Sequence, residues 1–342
     1  MKIGEFDLDK KVMVVAEIGN NHQGDFRLAK ELINLAVQAG ADAVKFQTFK
    51  TEQFVSQSDK IRFEKMKSFE LSPDQFCDLS AHAQKADVLF LSTPLDIPSV
   101  GVLKPIVSAI KIASGDITFF PLLKEVAQAG KPIILSTGIA TIKEIRAAKS
   151  TIESTWDDLG IDQELAILHC VSSYPVPNEE VNLGAVLELA KDFHCTVGYS
   201  DHALGIDAAA LSVALGARII EKHFTIDKNY SDFRDHKLAA DPKEFRELVN
   251  RVELYTSLMG EGKKVPQNCE LASADSIRRS IAAKHDLAPG KIIVADDLIW
   301  VRPAGGIAPG NENLVVGQRI EKFVKAGQQI VPPMLTSEKV EL

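Results

Sequence analysis

One pattern recurs along this chain: eight short apolar runs end in polar side chains, and all but one of them are followed by a stretch with helical spacing. The runs are residues 12–18, 43–48, 88–94, 109–116, 133–138, 165–175, 196–202 and 217–224. Equivalent polar residues lie 20 to 46 positions apart, and they are Glu17, Gln47, Thr93, Asp116, Ser136, Ser173, His202 and His223. Such spacing fits one strand–helix unit each, and eight units close a barrel. We therefore predict an α/β fold, a (β/α)8 TIM barrel, over residues 1–260.

Helical segments separate the runs. They are predicted at 26–40, 73–85, 121–129, 141–153, 182–192, 206–216 and 242–259, with Asp25 as the N-cap of the first. A doubly wound open sheet is the alternative arrangement, but it would need a Gly-rich phosphate turn, and the sequence contains no GxGxxG. Residues 49–72 form the longest gap and are predicted to be a polar lid or binding loop, or else a short helical insertion.

Two histidines, His202 and His223, end the last two apolar runs. Successive parallel strands joined by a helix lie side by side, so we expect the two imidazoles at one edge of the sheet, where they could chelate a divalent metal. Asp201 and Glu221 could orient them as hydrogen-bonded carboxylates. The alternative is that each histidine is an ordinary half-buried polar residue.

A carboxylate at the end of a buried strand is costly unless it is paired or faces a site. We interpret Glu17 as a functional residue of this kind, with a structural salt bridge as the alternative.

Beyond residue 260 the pattern of residue types changes. Residues 261–277 are polar and are predicted to be an exposed linker, and residues 278–342 alternate short β-like runs with Pro and Gly turns. This segment holds a weak repeat in which Leu287, Gly290, Ile293 and Leu298 match Val324, Gly327, Ile330 and Leu335 with the same spacing. Two turn-plus-strand copies predict a small, pseudo-symmetric β-rich domain, although four matches could also arise by chance.

Composition excludes several classes. The net charge of −8 argues against a nucleic-acid surface, so we expect no nucleic-acid partner. The four cysteines show neither CxxC nor scaffold spacing, which fits a reducing cytosol. No run approaches the roughly 18 apolar residues of a membrane helix, and the first residues lack a signal-peptide core, so we expect no membrane partner and a cytoplasmic protein.

Seven motifs in order resemble the sialic acid synthase family, the phosphoenolpyruvate-dependent nonulosonate synthases. They are AEIGNNHQGD, AVKFQT, KIASGD, ILSTG, SSYP, GYSDH and EKHF, and the tail RRSIAAKHDLAPGKIIVADDLIWVRP adds to the set. The resemblance covers nearly the whole chain. It implies a (β/α)8 barrel followed by a small antifreeze-like (β-clip) domain.

The resemblance also implies a reaction: phosphoenolpyruvate condenses with an open-chain N-acetylmannosamine-type aldose to give phosphate and a nine-carbon 2-keto-3-deoxy acid. It implies metal ligands His202 and His223 for Mn²⁺ or Mg²⁺, and catalytic acids Glu17 and Asp235. Phosphoenolpyruvate-binding residues would be Lys45, Thr93, Lys111, Ser114, Ser136, Ser173 and Ser200. Sugar-binding residues would be Gln47, Asp116, Tyr174, Glu221 and Arg302. The last would reach across a domain-swapped homodimer from a flexible Gly/Pro loop.

Three departures stand out. Where many relatives have a Gly-Pro-Asp or Gly-Ser-Asp turn, this chain keeps Asp235 but adds Arg234, His236 and Lys237, which could contact a polar sugar tail or form a solvated face. Many relatives read SGE where this chain has Ser114-Gly115-Asp116, and Ser172 replaces a usual Asn or Thr.

Two other functions compete with this reading. A 3-deoxy-octulosonate or heptulosonate phosphate synthase shares the chemistry but lacks the tail domain. A sugar- or metal-binding barrel without catalysis is the other. The acceptor could be N-acetylmannosamine, its 6-phosphate, a 2,4-diacetamido sugar or mannose, so the product could be N-acetylneuraminate, its 9-phosphate, legionaminate, pseudaminate or KDN.

Overall fold

The computed structural model describes residues 1–336, and the chain divides into two compact units, Met1–Gly260 and the residues from Glu261 onward. The first unit is a closed barrel of eight parallel strands in chain order, in which the last strand pairs with the first. These strands follow a short antiparallel pair, Lys2–Ile3 (β1) and Phe6–Asp7 (β2). The barrel strands are Met13–Gly19 (β3), Ala43–Thr48 (β4), Leu89–Pro94 (β5), Ala109–Ile112 (β6), Ile133–Ser136 (β7), Leu165–Cys170 (β8), Thr196–Asp201 (β9) and Ile219–His223 (β10). The predicted barrel is confirmed.

Helices surround the barrel. They are Phe26–Gln38 (α1), Thr51–Phe54 (α2), Lys60–Phe69 (α3), Pro73–Lys85 (α4), Ile97–Leu103 (α5), Phe120–Gln128 (α6), Ile142–Leu159 (α7), Ala185–Phe193 (α8), Asp207–Leu211 (α9), Arg234–Leu238 (α10) and Pro242–Met259 (α11). Short 3₁₀ turns cover Ser114–Asp116, Asn178–Glu180 and Ser212–Leu215. Within the part of the chain that the structure describes, no helix is long and apolar enough to span a bilayer.

Three local predictions had different outcomes in the structure, and one helix was not predicted. The Asp25 cap is confirmed, because its carboxylate accepts from the backbone N–H groups of Arg27 and Leu28. The segment 49–72 is the helical insertion, α2 and α3, rather than an extended loop. The helix predicted over 206–216 is shorter, since a 3₁₀ turn follows α9 and ends at Gly216 with a φ of 93°. Helix α5 was missed because its sequence, IPSVGVL, contains proline and glycine; the Asp96 cap starts it.

Side chains along each strand alternate between two environments. Outward residues pack beneath the helices, and inward residues of the lower barrel form a separate apolar layer that includes Met13, Val15, Leu91 and Leu168. The β1–β2 hairpin adds Met1, Ile3 and Leu8 to this layer and thereby closes the N-terminal end of the barrel. Polar inward residues are left at the opposite end.

The second unit contains short helices Asn268–Leu271 (α12) and Ala274–Ile277 (α13), antiparallel strands Ser280–Ala283 (β11) and Leu298–Val301 (β12), and 3₁₀ turns at Ala295–Asp297, Glu312–Leu314 and Pro332–Met334. Its weak repeat is a real pseudo-two-fold. Leu287 and Val324 exchange backbone hydrogen bonds at 2.8 and 3.0 Å. The bond from the Gly290 N–H to the Ile320 carbonyl has its counterpart at equivalent positions of the other copy, from Gly327 to Ala283, both at 2.7 Å.

Gly198 is a constraint of the barrel interior. A Cβ there would collide with the backbone oxygen of Ile219 on the next strand and with the side chain of Leu168. We predict that Gly198→Ala lowers the free energy of unfolding by about 1–3 kcal/mol or more. The backbone of Ile219 cannot move aside as the end of a flexible side chain could.

The matched control is Gly101→Ala on α5, where a Cβ meets no atom within 4 Å. There we expect the free energy of unfolding to rise by about 0.5–1 kcal/mol, because alanine gives the unfolded chain less conformational entropy than glycine does. Urea unfolding measures both, and equal effects at the two sites would contradict the steric argument.

Candidate active site

Four charged side chains meet inside the upper barrel. The Nζ of Lys45 lies 2.7 Å from Glu17 Oε2 and 3.6 Å from Glu221 Oε2, and the Nζ of Lys111 lies 3.1 Å from Glu221 Oε1. All four residues are at most 6% exposed. Inward positions on β3, β4, β6 and β10 bring them together. Because two cations offset two carboxylates, the cluster carries no net charge when all are ionised, which makes its burial tolerable.

The two carboxylates differ in acidity. Burial acts to raise the pKa of Glu221, but Lys111, Lys45 and a 2.9 Å hydrogen bond from Ser200 lower it to about 2. Burial outweighs Lys45 at Glu17 and raises its pKa. Glu221 is therefore a permanent anion, whereas Glu17 is the carboxyl better able to hold a proton.

The pKa values of the two lysines are also shifted in opposite directions. Burial lowers the pKa of Lys111, whereas at Lys45 the attraction of Glu17 and Glu221 overcomes burial and raises it.

The predicted histidine pair is brought together, with ring centroids 5.4 Å apart. The Nδ1 of His202 donates to the Val171 carbonyl at 2.8 Å, which leaves Nε2 as an acceptor. Burial, then the neighbouring His202, lowers the pKa of His223 well below its usual range, so this ring is neutral, and its buried Nδ1 has no hydrogen-bond partner among residues 1–336. Tyr174 packs against both rings, at 4.1 and 6.2 Å between centroids.

These features fit a divalent cation: neighbouring imidazoles with free nitrogen lone pairs at the carboxyl end of the strands. Across residues 1–336 no group of three or more His, Cys, Asp or Glu side chains could hold a metal ion together. A cation here would therefore have two protein ligands, with substrate or water completing its coordination.

The expectation that Asp201 and Glu221 orient the imidazoles by direct hydrogen bonds was wrong. Asp201 points to the other side of its strand from His202 and binds Lys222 at 2.9 Å, while Glu221 binds Lys111. The Nδ1 of His202 is oriented instead by the Val171 carbonyl, with the Sγ of Cys170 at 3.7 Å. Burial alone would lower the pKa of His202, but the contact with Cys170 raises it.

An inner cavity of about 110 Å³ contains most of the predicted site residues. Its walls include Glu17, Lys45, Gln47, Thr93, Lys111, Ser114, Ser136, Tyr174, Ser200, His202, Glu221 and His223. Sequence reasoning had not assigned Cys170 and Ser172 to it, although both also line it. Cys170 is the inward residue that ends β8, so strand alternation was the signal that could have found it.

The remaining predicted residues lie elsewhere. The hydroxyl of Ser173 donates to the Pro175 carbonyl at 3.0 Å, so Ser172 rather than Ser173 faces the cavity. Asp116 is half-buried in a 3₁₀ turn outside the cavity wall, and burial raises its pKa to about 6. Arg302 is an exposed residue of the second unit.

Asp235 lines a larger outer cavity of about 580 Å³ that shares Gln47, Tyr174 and His223 with the inner one. Burial raises the pKa of Asp235, whose Oδ1 lies 3.2 Å from the Nε of Arg234. The sequence predicted this acid but not its surroundings.

Helix α3 supplies the outer wall of this cavity through Arg62, Lys65 and Met66. Phe69 packs edge-on against Phe233 at 5.3 Å between ring centroids. The inserted segment 49–72 thus contacts the site, as a lid or binding segment would.

Of the three added residues Arg234, His236 and Lys237, one reaches this cavity. The guanidinium of Arg234 lies 4.6 Å from the centroid of the Tyr174 ring. His236 is fully buried away from the cavity, bonded to Thr225 Oγ1 at 2.7 Å and Gln23 Nε2 at 2.9 Å, and Lys237 is exposed. The helical turn α10 accounts for this, because successive residues of a helix point in different directions.

Comparison with known proteins gives the family. The NeuB family model matches residues 32–264 and the SAF domain model matches residues 278–336. The chain is 44% identical to an uncharacterized protein of Methanocaldococcus jannaschii, over 94% of each chain. It is 39% identical to N,N'-diacetyllegionaminic acid synthase of Legionella pneumophila, over 93% of each chain.

Among solved structures it resembles the N-acetylneuraminic acid (sialic acid) synthetase of Leptospira borgpetersenii. The TM-score is 0.75 and the identity is 36%, with 80% of this chain and 94% of that one covered. Because the NeuB family model covers more than half of it and the SAF domain model covers the tail, this chain belongs to the NeuB family, the sialic acid synthase family that its motifs resemble.

Proposed function

We propose that this chain condenses phosphoenolpyruvate with an open-chain N-acetylmannosamine-type aldose and releases phosphate, giving N-acetylneuraminate or a related nine-carbon 2-keto-3-deoxy acid. The observation that carries the proposal is the composition of one cavity, in which two buried lysines, a row of hydroxyls, two histidines and the carboxylate of Glu17 face each other. An anionic enol phosphate and a carbonyl compound need these groups together.

Phosphoenolpyruvate would occupy the inner cavity through Lys45 and Lys111. Each ammonium group is held by a carboxylate at 2.7–3.1 Å, and these contacts keep the side chains extended into the cavity. Thr93, Ser114, Ser136 and Ser200, with Ser172 in place of Ser173, supply hydroxyl donors. The buried Oγ of Ser136 has no hydrogen-bond partner within residues 1–336, which suits a contact to the ligand.

His202 and His223 would hold a divalent ion, Mn²⁺ or Mg²⁺, whose chemistry when bound is Lewis-acid polarisation of the aldehyde oxygen. Glu17 would accept a proton from the water that adds to C2 as C3 bonds to the aldehyde carbon, and a proton would pass to the aldehyde oxygen, which becomes a hydroxyl. The bond from C2 to the phosphate oxygen would then break, with the C2 hydroxyl losing its proton as the ketone forms and phosphate leaving with that proton. The raised pKa of Glu17 and its contact with Lys45 support this general acid–base role.

The acceptor sugar would lie in the outer cavity, with Gln47, Tyr174, Asp235 and Arg234 around it. Asp116 is absent from both cavity walls, so we assign it no contact with the sugar. A 2,4-diacetamido sugar, giving a legionaminate product, is the second candidate, favoured by the name of the Legionella relative.

The first prediction of this proposal is substrate-dependent phosphate release. With phosphoenolpyruvate and Mn²⁺, we expect turnover with N-acetylmannosamine or a 2,4-diacetamido sugar to exceed that with mannose or N-acetylmannosamine 6-phosphate. Phosphate assay and mass spectrometry of the nine-carbon acid measure it.

A phosphorylated pentose or tetrose is the control for the ketose synthases, and excess EDTA is the control for the metal. EDTA should abolish turnover and added Mn²⁺ should restore it. A chain that releases no phosphate with any of these sugars is not a synthase of this kind.

A second prediction separates two cations of α10. Arg234→Ala should raise the acceptor KM about tenfold, a loss of about 1.4 kcal/mol, because its guanidinium lines the sugar cavity. The KM for phosphoenolpyruvate should change little. Lys237→Ala, an exposed residue of the same helix, is the matched control and should leave both constants unchanged. Equal effects of the two variants would remove Arg234 from the site.

We further propose that Arg302 completes the sugar site of a second subunit in a domain-swapped homodimer. The support is the family resemblance and the exposed Gly/Pro loop that carries Arg302. The predicted linker, residues 261–277, gives less reach than an extended chain, because α12 and α13 lie within it. Mixing Arg302→Ala chains with His202→Ala chains then gives hybrid dimers in which one of two sites carries neither lesion, so activity should reappear.

Lys322→Ala, an exposed cation of the same unit, should leave activity unchanged. Confirmed subunit exchange without recovered activity would refute delivery in trans.

A further inference from the structure

A second buried ion pair lies on the outer face of the barrel, directly behind the histidines. Lys222 on β10 and Asp201 on β9 are register partners, and Nζ lies 2.9 Å from Asp201 Oδ2. Both side chains are 0% exposed. Neither lines the inner or the outer cavity, so the pair has no direct part in the proposed chemistry.

The ion pair binds the residues on both sides of His202 in the sequence. Lys222 Nζ also donates to the Ala203 carbonyl at 2.5 Å, so one ammonium group binds the residue before His202 and the residue after it. The other carboxylate oxygen of Asp201 accepts from the Ala203 N–H at 2.8 Å and from the Tyr199 hydroxyl at 2.9 Å.

Lys222 itself immediately precedes His223. Side chains alternate along a strand, so fixing Lys222 and Asp201 on the outer face also fixes where the next residue of each strand points on the inner face. A slip of one residue between the strands would turn a histidine out of the cavity. A buried charge pair resists such a slip because separating its two members would leave each charge buried without a partner or water to solvate it.

We propose that Lys222 and Asp201 are positioning residues that hold His202 and His223 at the separation a divalent cation requires, and so set the affinity of the site for that cation. This inference rests on the metal-binding role in the proposed function. It assigns to the pair an effect on metal affinity that is separate from its effect on folding.

The test is Mn²⁺ titration of the full chain without substrates, measured by calorimetry or by the electron paramagnetic resonance signal of free Mn²⁺. Lys222→Met should weaken Mn²⁺ binding by about tenfold or more, the range found when groups that orient metal ligands are lost. Asp201→Asn combined with Lys222→Met removes both buried charges, so thermal stability should largely return. Mn²⁺ binding should stay weak in this double variant because the tie between strands is still missing.

Ile220→Ala is the control for stability, since Ile220 is fully buried on the same outer face of β10. It should lower the Tm yet leave Mn²⁺ affinity within about twofold of wild type. If Lys222→Met does not fold, the double variant and Tyr199→Phe, which removes one hydrogen bond to Asp201, decide the matter.

Three results would overturn the inference: wild-type affinity in the folded pair variants, equal weakening in Ile220→Ala, or no Mn²⁺ binding by the wild type. The last would remove the metal site itself, whereas the first two would leave the proposed reaction intact.

Discussion

Neutralisation of charge inside a closed barrel is the constraint on which the upper half of this structure depends. The inward positions of eight strands converge on one axis, so any ionised group there must find its partner among the other strands. Glu17, Lys45, Lys111 and Glu221 satisfy one another in this way. Both lysines also line the inner cavity, so the groups that neutralise the two carboxylates are the same groups that face any anion entering it.

The order of the strands was predictable because it rests on local patterns. Each β/α unit is recognisable in the sequence as an apolar run followed by a helical stretch, and eight such units have one common closed arrangement. Helix α5 escaped because proline and glycine usually break helices, and the Asp96 cap that starts it acts through a single side chain. The β1–β2 hairpin was not predicted either, because two-residue strands carry too little pattern.

Site residues within strands were predictable for the same reason, whereas loop residues such as Ser114 and Tyr174 were predicted only through the family resemblance. Strand alternation places Lys45, Lys111 and the two histidines inside the barrel. Continued past the end of β8 from Cys170, the same alternation places Ser172 in the cavity and Ser173 outside it, and the prediction of Ser173 did not apply this rule. His236 was grouped with Arg234 by proximity in sequence, but Thr225 and Gln23 draw it into the protein. Side-chain direction in a short helix depends on tertiary partners that the sequence does not name.

The pseudo-two-fold of the second unit has a consequence for how that unit can fold. Each copy provides the carbonyl groups that the other copy's N–H groups require, as the exchanged bonds of Leu287 and Val324 illustrate. Half of the unit would expose an unpaired edge and half of an apolar centre. A single copy by itself would therefore leave these groups unpaired, and only association with a second molecule of the same kind could satisfy them.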